Sequence, residues 1–371
     1  MQTALADFIK DTPDGREADR ILRTCVHCGF CTATCPTYQL LGDELDGPRG
    51  RIYLMKQVLE GAPVTAKTQL HLDRCLTCRN CESTCPSGVQ YGRLVDIGRQ
   101  VVEERVERPL SERVVRTLLK EGLTSPLFTP ALKLGQLVRP LLPKFLRNKV
   151  PAARHAGSWP TRSHARKVVL LEGCVQPAMT PNINPATARV LDALGIETVR
   201  AARAGCCGAI RHHLNDHDGG LADARRNIDA WWPHLSGANA AGAEAIVMNA
   251  SGCGAMVKDY GHLLRHDAAY ASKAARISAL TMDLAEFLPP AADALRTALR
   301  ETTPQRVVFH PPCTLQHGQK VRGAVEALLA ALGAEVLPFG ESHLCCGSAG
   351  TYSVLQPELA YPLRDRKLAH L

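Results

Sequence analysis

Two short stretches of this chain are near copies of each other, and they constrain its fold more than any other feature. Residues 25–36 read Cys-Val-His-Cys-Gly-Phe-Cys-Thr-Ala-Thr-Cys-Pro, and residues 75–86 read Cys-Leu-Thr-Cys-Arg-Asn-Cys-Glu-Ser-Thr-Cys-Pro. Both follow the pattern C-x2-C-x2-C-x3-C-P, the spacing that holds [4Fe–4S] cubanes in pairs. Two intervening residues let a tight turn aim three thiolates at one cube. The extra residue before the fourth cysteine breaks that curl. The following proline disfavours the α region for the cysteine itself, so Cys35 and Cys85 are expected to point away from their own triplets. We therefore assign one cluster to Cys25, Cys28, Cys31 and Cys85, and the other to Cys75, Cys78, Cys81 and Cys35.

Other uses of cysteine fit less well. A disulfide framework belongs to short secreted chains, whereas this chain has 371 residues and an N-terminus, Met1 to Lys10, without the apolar core of a signal peptide. A zinc ribbon needs no third cysteine in each run and no Cys-Pro ending. Fifteen cysteines, mostly in short motifs, point to metal ligation in a reducing compartment, which leads us to expect a cytoplasmic protein. No run of about 18 uncharged apolar residues is present, so no transmembrane helix is expected.

The length suggests about two to three domains. The net charge of +8 is uneven: residues 105–167 hold fourteen Lys/Arg and three Asp/Glu, a net of +11, and the rest is net −3. A local basic segment on a near-neutral chain argues against a nucleic-acid partner. Within it Leu134, Leu137, Val138, Leu141, Leu142 and Phe145 recur at helical spacing beside Lys133, Arg139, Lys144 and Arg147. Two readings stand: a helix lying in the plane of an anionic membrane surface, or an apolar face docked on a neighbouring domain or subunit. Pro140 and Pro143 argue against a long regular helix.

Around the cysteine runs, Thr12-Pro13-Asp14-Gly15 reads as a turn and Glu17–Thr24 as a short helix leading into Cys25. Between the runs, a Gly47-Pro48 loop precedes an amphipathic helix from Ile52 to Leu59, and Thr68–Arg74 is a second helix. Helices at this place imply an α-helical ferredoxin domain. Val89–Glu107 reads as the helix leaving it. Arg49 and Arg51 either raise a cluster potential or pair with Asp43, Glu44 or Asp46.

The second half of the chain is itself a repeat. Lys167–Cys174 and Arg306–Cys313 are buried-strand signals ending in cysteine. Each leads to a helix (186–195 and 323–333), a second strand (196–199 and 334–337) and a Cys-Cys-Gly turn (206–208 and 345–347). Cys174 to Cys206 and Cys313 to Cys345 are both 32 positions apart, the mark of a duplicated unit. Each βαβ unit predicts a parallel sheet with cysteines at the carboxyl ends of strands. The first copy adds a third strand, Ala245–Ala250, followed by Cys253; the second copy has no such piece. Its expected place lies past Leu371, so either the sequence is short at its C-terminus or the second copy is an incomplete site; Arg364–Leu368 reads as mid-helix, which favours the first.

These repeats resemble the cysteine-rich CCG domains of heterodisulfide reductase and of the iron–sulfur subunits of glycerol-3-phosphate dehydrogenase, lactate utilisation and glycolate oxidase systems. CVHCGFCTATCPTYQLLGDELDGPRGRIYLMKQVLEG, HLDRCLTCRNCESTCPSGV, NIDAWWP and SHLCCGSAGTY are most similar to the glycolate oxidase iron–sulfur subunits. The resemblance implies an α+β multidomain chain: an α-helical ferredoxin domain with two [4Fe–4S] clusters (1–104), a basic helical segment and linker (105–165), and two α/β CCG domains with parallel sheets (166–300 and 301–371). It implies that the eight ferredoxin-type cysteines are the ligands. The heterodisulfide reductase CCG domain uses five cysteines for a non-cubane cluster. Here the first copy offers Cys174, Cys206, Cys207 and Cys253, with Ala250 where a fifth would stand, and the second offers only Cys313, Cys345 and Cys346. A third Fe–S cluster in a CCG domain and simple packing of buried thiols both remain open. His27, His310 and His343 are read either as potential-tuning groups or as hydrogen-bonding neighbours.

Functionally, the resemblance implies a subunit of an oxidoreductase complex, carrying electrons rather than binding substrate. No catalytic residue is assigned. Oxidation of a 2-hydroxy acid suits a flavin, and no G-x-G-x-x-G fingerprint follows a strand here. FAD is therefore expected on partner glycolate oxidase subunits that convert glycolate to glyoxylate. The further acceptor is expected to be membrane quinone, which would place the chain peripherally on the inner face of the cell membrane. A lactate or glycerol-3-phosphate dehydrogenase subunit and a heterodisulfide-reductase-like catalytic subunit are the alternatives.

Overall fold

A computed structural model describes residues 1–147, 150–235, 242–299 and 305–371, with 145 and 146 by backbone only. The expected boundary at 300/301 and the side chain of Phe145 lie outside the described residues. The chain forms two compact units: Met1–Val114 with His310–Lys320 and Pro338–Leu371, and Val115–Phe309 with Val321–Leu337. The second repeat is thus shared. Its cysteine-bearing loops belong with the ferredoxin-type unit, and its two short strands belong with the first repeat.

The ferredoxin-type unit is helical. Helix α1 (Pro13–Thr24) begins earlier than the sequence suggests. Thr12 caps it by accepting from the Gly15 amide at 2.9 Å, and Pro13 occupies the first turn. Thr-Pro-Asp serves as a helix start as readily as a turn, because proline's missing N–H costs nothing at N1. The same holds for α2 (Pro48–Leu59), which starts at Pro48 rather than Ile52. Helices α3 (Ala66–Asp73) and α4 (Tyr91–Arg105) follow. The core is aliphatic: Ile21 and Leu22 of α1, Ile52, Met55 and Leu59 of α2, Leu72 of α3, and Leu94, Val95 and Val102 of α4 are all buried together. Gly98 permits the close approach of α4 to α2, since a Cβ there would lie 2.5 Å from Met55 Sδ. Arg108 locks the end of α4 to α3 through Asp73 at 2.5 Å and Glu103 at 2.6 Å.

In the other unit, a four-stranded parallel sheet runs in the order β2-β1-β3-β4, with β1 Arg166–Leu170, β2 Ile196–Arg200, β3 Ala245–Met248 and β4 Thr281–Asp283. The expected parallel topology is present, with β4 an addition. The register pairs Val168 with Thr198 and with Ala245. The central strands are buried on both faces, as their unbroken apolar runs require. Val169, Ile246 and Met248 pack with Trp231 of α8 (His217–Leu235), Val257 of α9 (Ser251–Lys258) and Ile277 of α10 (Ala271–Leu280). Val168 and Val247 face Leu191 of α7 (Ile183–Ala193). The second repeat contributes β5 (Arg306–Val307) paired in parallel with β6 (Glu335–Val336), linked through α11 (Ala324–Ala331). Helix α12 (Pro357–Leu368) ends the described chain.

The basic segment forms α5 (Leu110–Thr124) and α6 (Phe128–Val138), then a 3-10 turn over Arg139–Leu141 that contains Pro140. No residue of α5 or α6 is buried. The C-terminal part of α5 is tied to its own unit by ion pairs of Glu121 with Arg211 at 2.7 Å and Lys120 with Asp216 at 3.2 Å. No helix among the described residues is long and apolar enough to cross a membrane.

Candidate metal centres

The two cysteine runs fold alike. In each, the second and fourth positions after the first cysteine adopt left-handed backbone: His27 (φ 59°) and Gly29 (φ 90°), Thr77 (φ 50°) and Arg79 (φ 58°). Such φ values are uncommon for residues other than glycine, and their recurrence marks one loop shape built twice. The third cysteine lies within a short helical turn (Phe30–Thr32 and Asn80–Thr84), and the fourth returns to extended backbone: Cys35 at φ −84°, ψ 114° and Cys85 at φ −73°, ψ 116°. The runs meet about a local two-fold, where the equivalent hydroxyls of Thr34 and Thr84 lie 3.1 Å apart. Asn80 reinforces the contact by donating to the Thr34 carbonyl at 3.2 Å.

Two cavities result. One, of about 420 Å³ with its open mouth, is lined by Cys25, Cys28, Cys31 and Cys85 together with Cys81. The other, of about 300 Å³, is lined by Cys35, Cys75, Cys78 and Cys81. Each fourth cysteine therefore faces the triplet of the other run. Four thiols around each cavity match the ligand number of a cubane, so these residues fit a [4Fe–4S] cluster apiece. Burial, reinforced by neighbouring thiols, pushes Cys31 up to about 11 and raises Cys78 and Cys81 well above the usual thiol range. Metal binding has to displace those protons, which couples loading to release of acid.

The cavities differ in their surroundings. The first opens to solvent: Cys28 is exposed, and Val26 and Phe30 beside it are 67% and 64% exposed. Its cation, Arg49, is half-exposed and pairs with Glu44 at 2.6 Å. The second cavity is lined by Arg51, which is 1% exposed. Arg51 donates to the His71 carbonyl at 2.6 Å, Thr37 Oγ1 at 3.1 Å and Asp46 at 3.3 Å. Buried Arg99 donates to the carbonyls of Leu72 and Cys75, both at 2.7 Å. Tyr91 donates to Cys75 Sγ at 3.5 Å, and the Thr37 hydroxyl is 3.3 Å from Cys35 Sγ. Arg49 and Arg51 are thus ion-paired, as one of the two readings expected, and each also lines a cavity.

In the first repeat the structure brings together all four cysteines. Their thiols form a hydrogen-bonded chain from Cys174 to Cys206, Cys207 and Cys253, which holds Cys206 below the usual thiol range and raises Cys174 and Cys207. The loop that carries the pair is braced from beneath. Asn227 donates to the Cys206 carbonyl at 2.7 Å and Tyr260 to the Cys207 carbonyl at 2.8 Å, with Trp231 stacked on the Tyr260 ring. In the second repeat Cys313, Cys345 and Cys346 are likewise within hydrogen-bonding reach. Cys345 and Cys313 share an apolar cluster with Leu76 and Cys78 of the second run and with Tyr352, Leu359 and Leu363. Lys367, 4% exposed, faces all three cysteines of the repeat, and burial lowers its affinity for a proton. The glycines after the paired cysteines match: Gly208 (φ 89°) and Gly347 (φ 78°) sit where a Cβ would lie 2.7 Å from the Gly220 carbonyl oxygen and 2.3 Å from that of Ala360.

Of the histidines, His27 lines the first cavity. The His343 carbonyl accepts from Asn80 at 3.0 Å and from His317 at 2.8 Å. The buried His310 Nε2 has no hydrogen-bond partner among the described residues. Sequence reasoning missed Asn80, Tyr91, Arg99, Asn227, Tyr260 and Lys367. One of these carried a signal: Lys367 continues the helical spacing of Leu359, Ala360 and Leu363, a lysine on an apolar stripe.

Comparison with known proteins agrees with this layout. The model described as "4Fe-4S dicluster domain" matches residues 21–89, and "Cysteine-rich domain" matches 168–258 and 307–371. The chain is 56% identical to the "Glycolate oxidase iron-sulfur subunit" of Escherichia coli (strain K12), over 99% of this chain and 89% of that protein. It is 31% identical to the "Probable glycolate oxidase iron-sulfur subunit" of Bacillus subtilis (strain 168), over 94% and 83%. A shorter match, 29% identical over 55% of this chain and 82% of the relative, is to "Lactate utilization protein A" of Geobacillus thermodenitrificans (strain NG80-2).

Proposed function

Because this chain belongs to the family of glycolate oxidase iron–sulfur subunits, we propose that it is the electron-carrying subunit of a glycolate-oxidising complex. It takes electrons from an FAD-containing partner that oxidises glycolate to glyoxylate and delivers them to a further acceptor, membrane quinone. When bound, [4Fe–4S] clusters supply one-electron transfer. The observation that carries the reading is the pair of cavities with exchanged fourth cysteines: Cys25, Cys28, Cys31 and Cys85 would hold one cluster, and Cys75, Cys78, Cys81 and Cys35 the other. The exposed Cys28 loop is where a partner can approach. Buried Arg51 places positive charge at the wall of the second cavity.

The convergence of Cys174, Cys206, Cys207 and Cys253 supports a third Fe–S site in the first repeat, since four thiols match the ligand number. Iron and acid-labile sulfide on anaerobically purified chain, with EPR after dithionite, test the whole reading. About twelve of each per chain are expected with that third cluster and about eight without it. Zinc without iron, in a colourless protein, would overturn electron transfer. Single Cys→Ser changes test the exchange: Cys85→Ser is expected to perturb the same EPR signal as Cys28→Ser, and Cys35→Ser the same as Cys78→Ser. Reduction of the loaded subunit by its flavoprotein partner with glycolate, compared with lactate, tests the substrate.

A further inference from the structure

The segment from 122 to 150 holds five Lys/Arg and no Asp or Glu. Within it α6 and the 3-10 turn that follows present one continuous apolar stripe. Leu127 is 71% exposed, Leu134 62%, Leu137 76% and Leu141 86%. Their spacing of seven, three and four residues puts them on one side of a helix. The opposite side of α6 lies against the short helix Gln176–Met179 of the same unit. The stripe runs over about 20 Å at helical rise. Exposed apolar surface of this extent marks an interaction site, and among the described residues no other part of its own unit covers it.

We propose that this face is the surface by which the protein lies on an anionic lipid bilayer, with the four leucines entering the headgroup–acyl boundary and the cations meeting lipid phosphates. Charge complementarity selects this occupant. The exposed Lys133 and Lys144 flank the stripe, no carboxylate of the segment offsets them, and basic flanks around leucines are what an in-plane helix needs. The stripe itself is purely aliphatic, without the aromatic anchors that dominate protein interfaces. The proposal deepens the acceptor half of the function above and rests on that reading only there.

Co-sedimentation of the cluster-loaded full chain with vesicles of phosphatidylcholine, with and without phosphatidylglycerol, tests it. Binding is expected to the anionic vesicles alone and to fall with added salt. Leu134→Ser/Leu137→Ser/Leu141→Ser is expected to weaken it by at least about ten-fold. Lys133→Gln/Lys144→Gln is expected to weaken it about five-fold per cation removed. All five positions are solvent-exposed, so iron content and melting temperature serve as controls that stay unchanged. Absence of binding to anionic vesicles, or equal binding by wild type and the leucine variant, would overturn the proposal. So would a leucine variant that keeps vesicle binding but no longer associates with the flavoprotein partner, which would make the face a subunit interface. None of these outcomes alters iron content or EPR, so the iron–sulfur reading is judged separately.

Discussion

Arg51→Met is expected to lower the reduction potential of one cluster and leave the other nearly unmoved. Arg51 Nη1 is 3.1 Å from Thr37 Oγ1, which is 3.3 Å from Cys35 Sγ, so the guanidinium stands at most about 6.4 Å from a ligand sulfur. Reduction adds an electron to the site, and a nearby positive charge stabilises that state. At about 6 Å and an effective dielectric constant of about 20, one unit charge contributes roughly 2.8 kcal/mol, equivalent to about 120 mV for a one-electron couple. Spreading the added electron over the whole cube increases the mean distance and halves this to about 60 mV. Arg49→Met acts at the other cavity, where the cation is half-exposed and paired with Glu44; its shift is expected to be smaller because water screens it.

The Arg51 change also leaves Asp46, fully buried, with Arg74 at 2.8 Å as its closest remaining guanidinium, and breaking a buried pair costs about 3–5 kcal/mol. Arg51→Lys, which retains the charge, separates the field from the fold: it is expected to destabilise while shifting the potential little. EPR-monitored redox titration of wild type and the three variants at equal iron content is the assay. If Arg51→Met leaves both midpoints in place, raises one, or moves the same midpoint as Arg49→Met, the assignment of a buried positive wall to one cavity is wrong.

Other consequences are equally direct. Gly208→Ala and Gly347→Ala each force a Cβ against a backbone carbonyl in left-handed conformation, so both are expected to cost more than the ~1 kcal/mol typical of a tolerated glycine change, seen as a lowered thermal midpoint. Tyr260→Phe removes the donor to the buried Cys207 carbonyl and is expected to destabilise by about 1–3 kcal/mol in denaturant titration. If the first repeat holds iron, the same variant lowers its retention, while the signals of the two ferredoxin-type sites stay as they are. Asn80→Ala removes donors to the Thr34 and His343 carbonyls, and is expected to loosen the junction of the two runs, read as faster loss of iron to a chelator.

How much of this molecule was legible beforehand follows from the range of the interactions involved. The cysteine loops were readable because ligand spacing is local: a turn of two residues aims successive thiols at one point whatever surrounds it, and proline fixes the exit of the fourth. The parallel first repeat was readable because strands buried on both faces must be continuous apolar runs, as Val168–Leu171 and Ala245–Met248 are. Helix starts at Pro13 and Pro48 were misplaced because proline serves a turn and a first helical turn alike, and only the capping contact of Thr12 or the packing of Gly50 and Arg51 decides between them. Tertiary structure alone decided the rest. It buried Arg51 and Arg99 while leaving Arg49 half-exposed. It drew Asn227 and Tyr260, 20 and 53 residues away from the Cys206–Cys207 turn, beneath that turn. It divided the second repeat, setting Cys313 and Cys345 beside Leu76 and Cys78 and placing its strands in the other unit. It also left the leucines of α6 uncovered. A chain's local code specifies which groups can bind a metal; which charges lose their water, and which apolar faces keep it, depends on contacts between residues far apart in sequence.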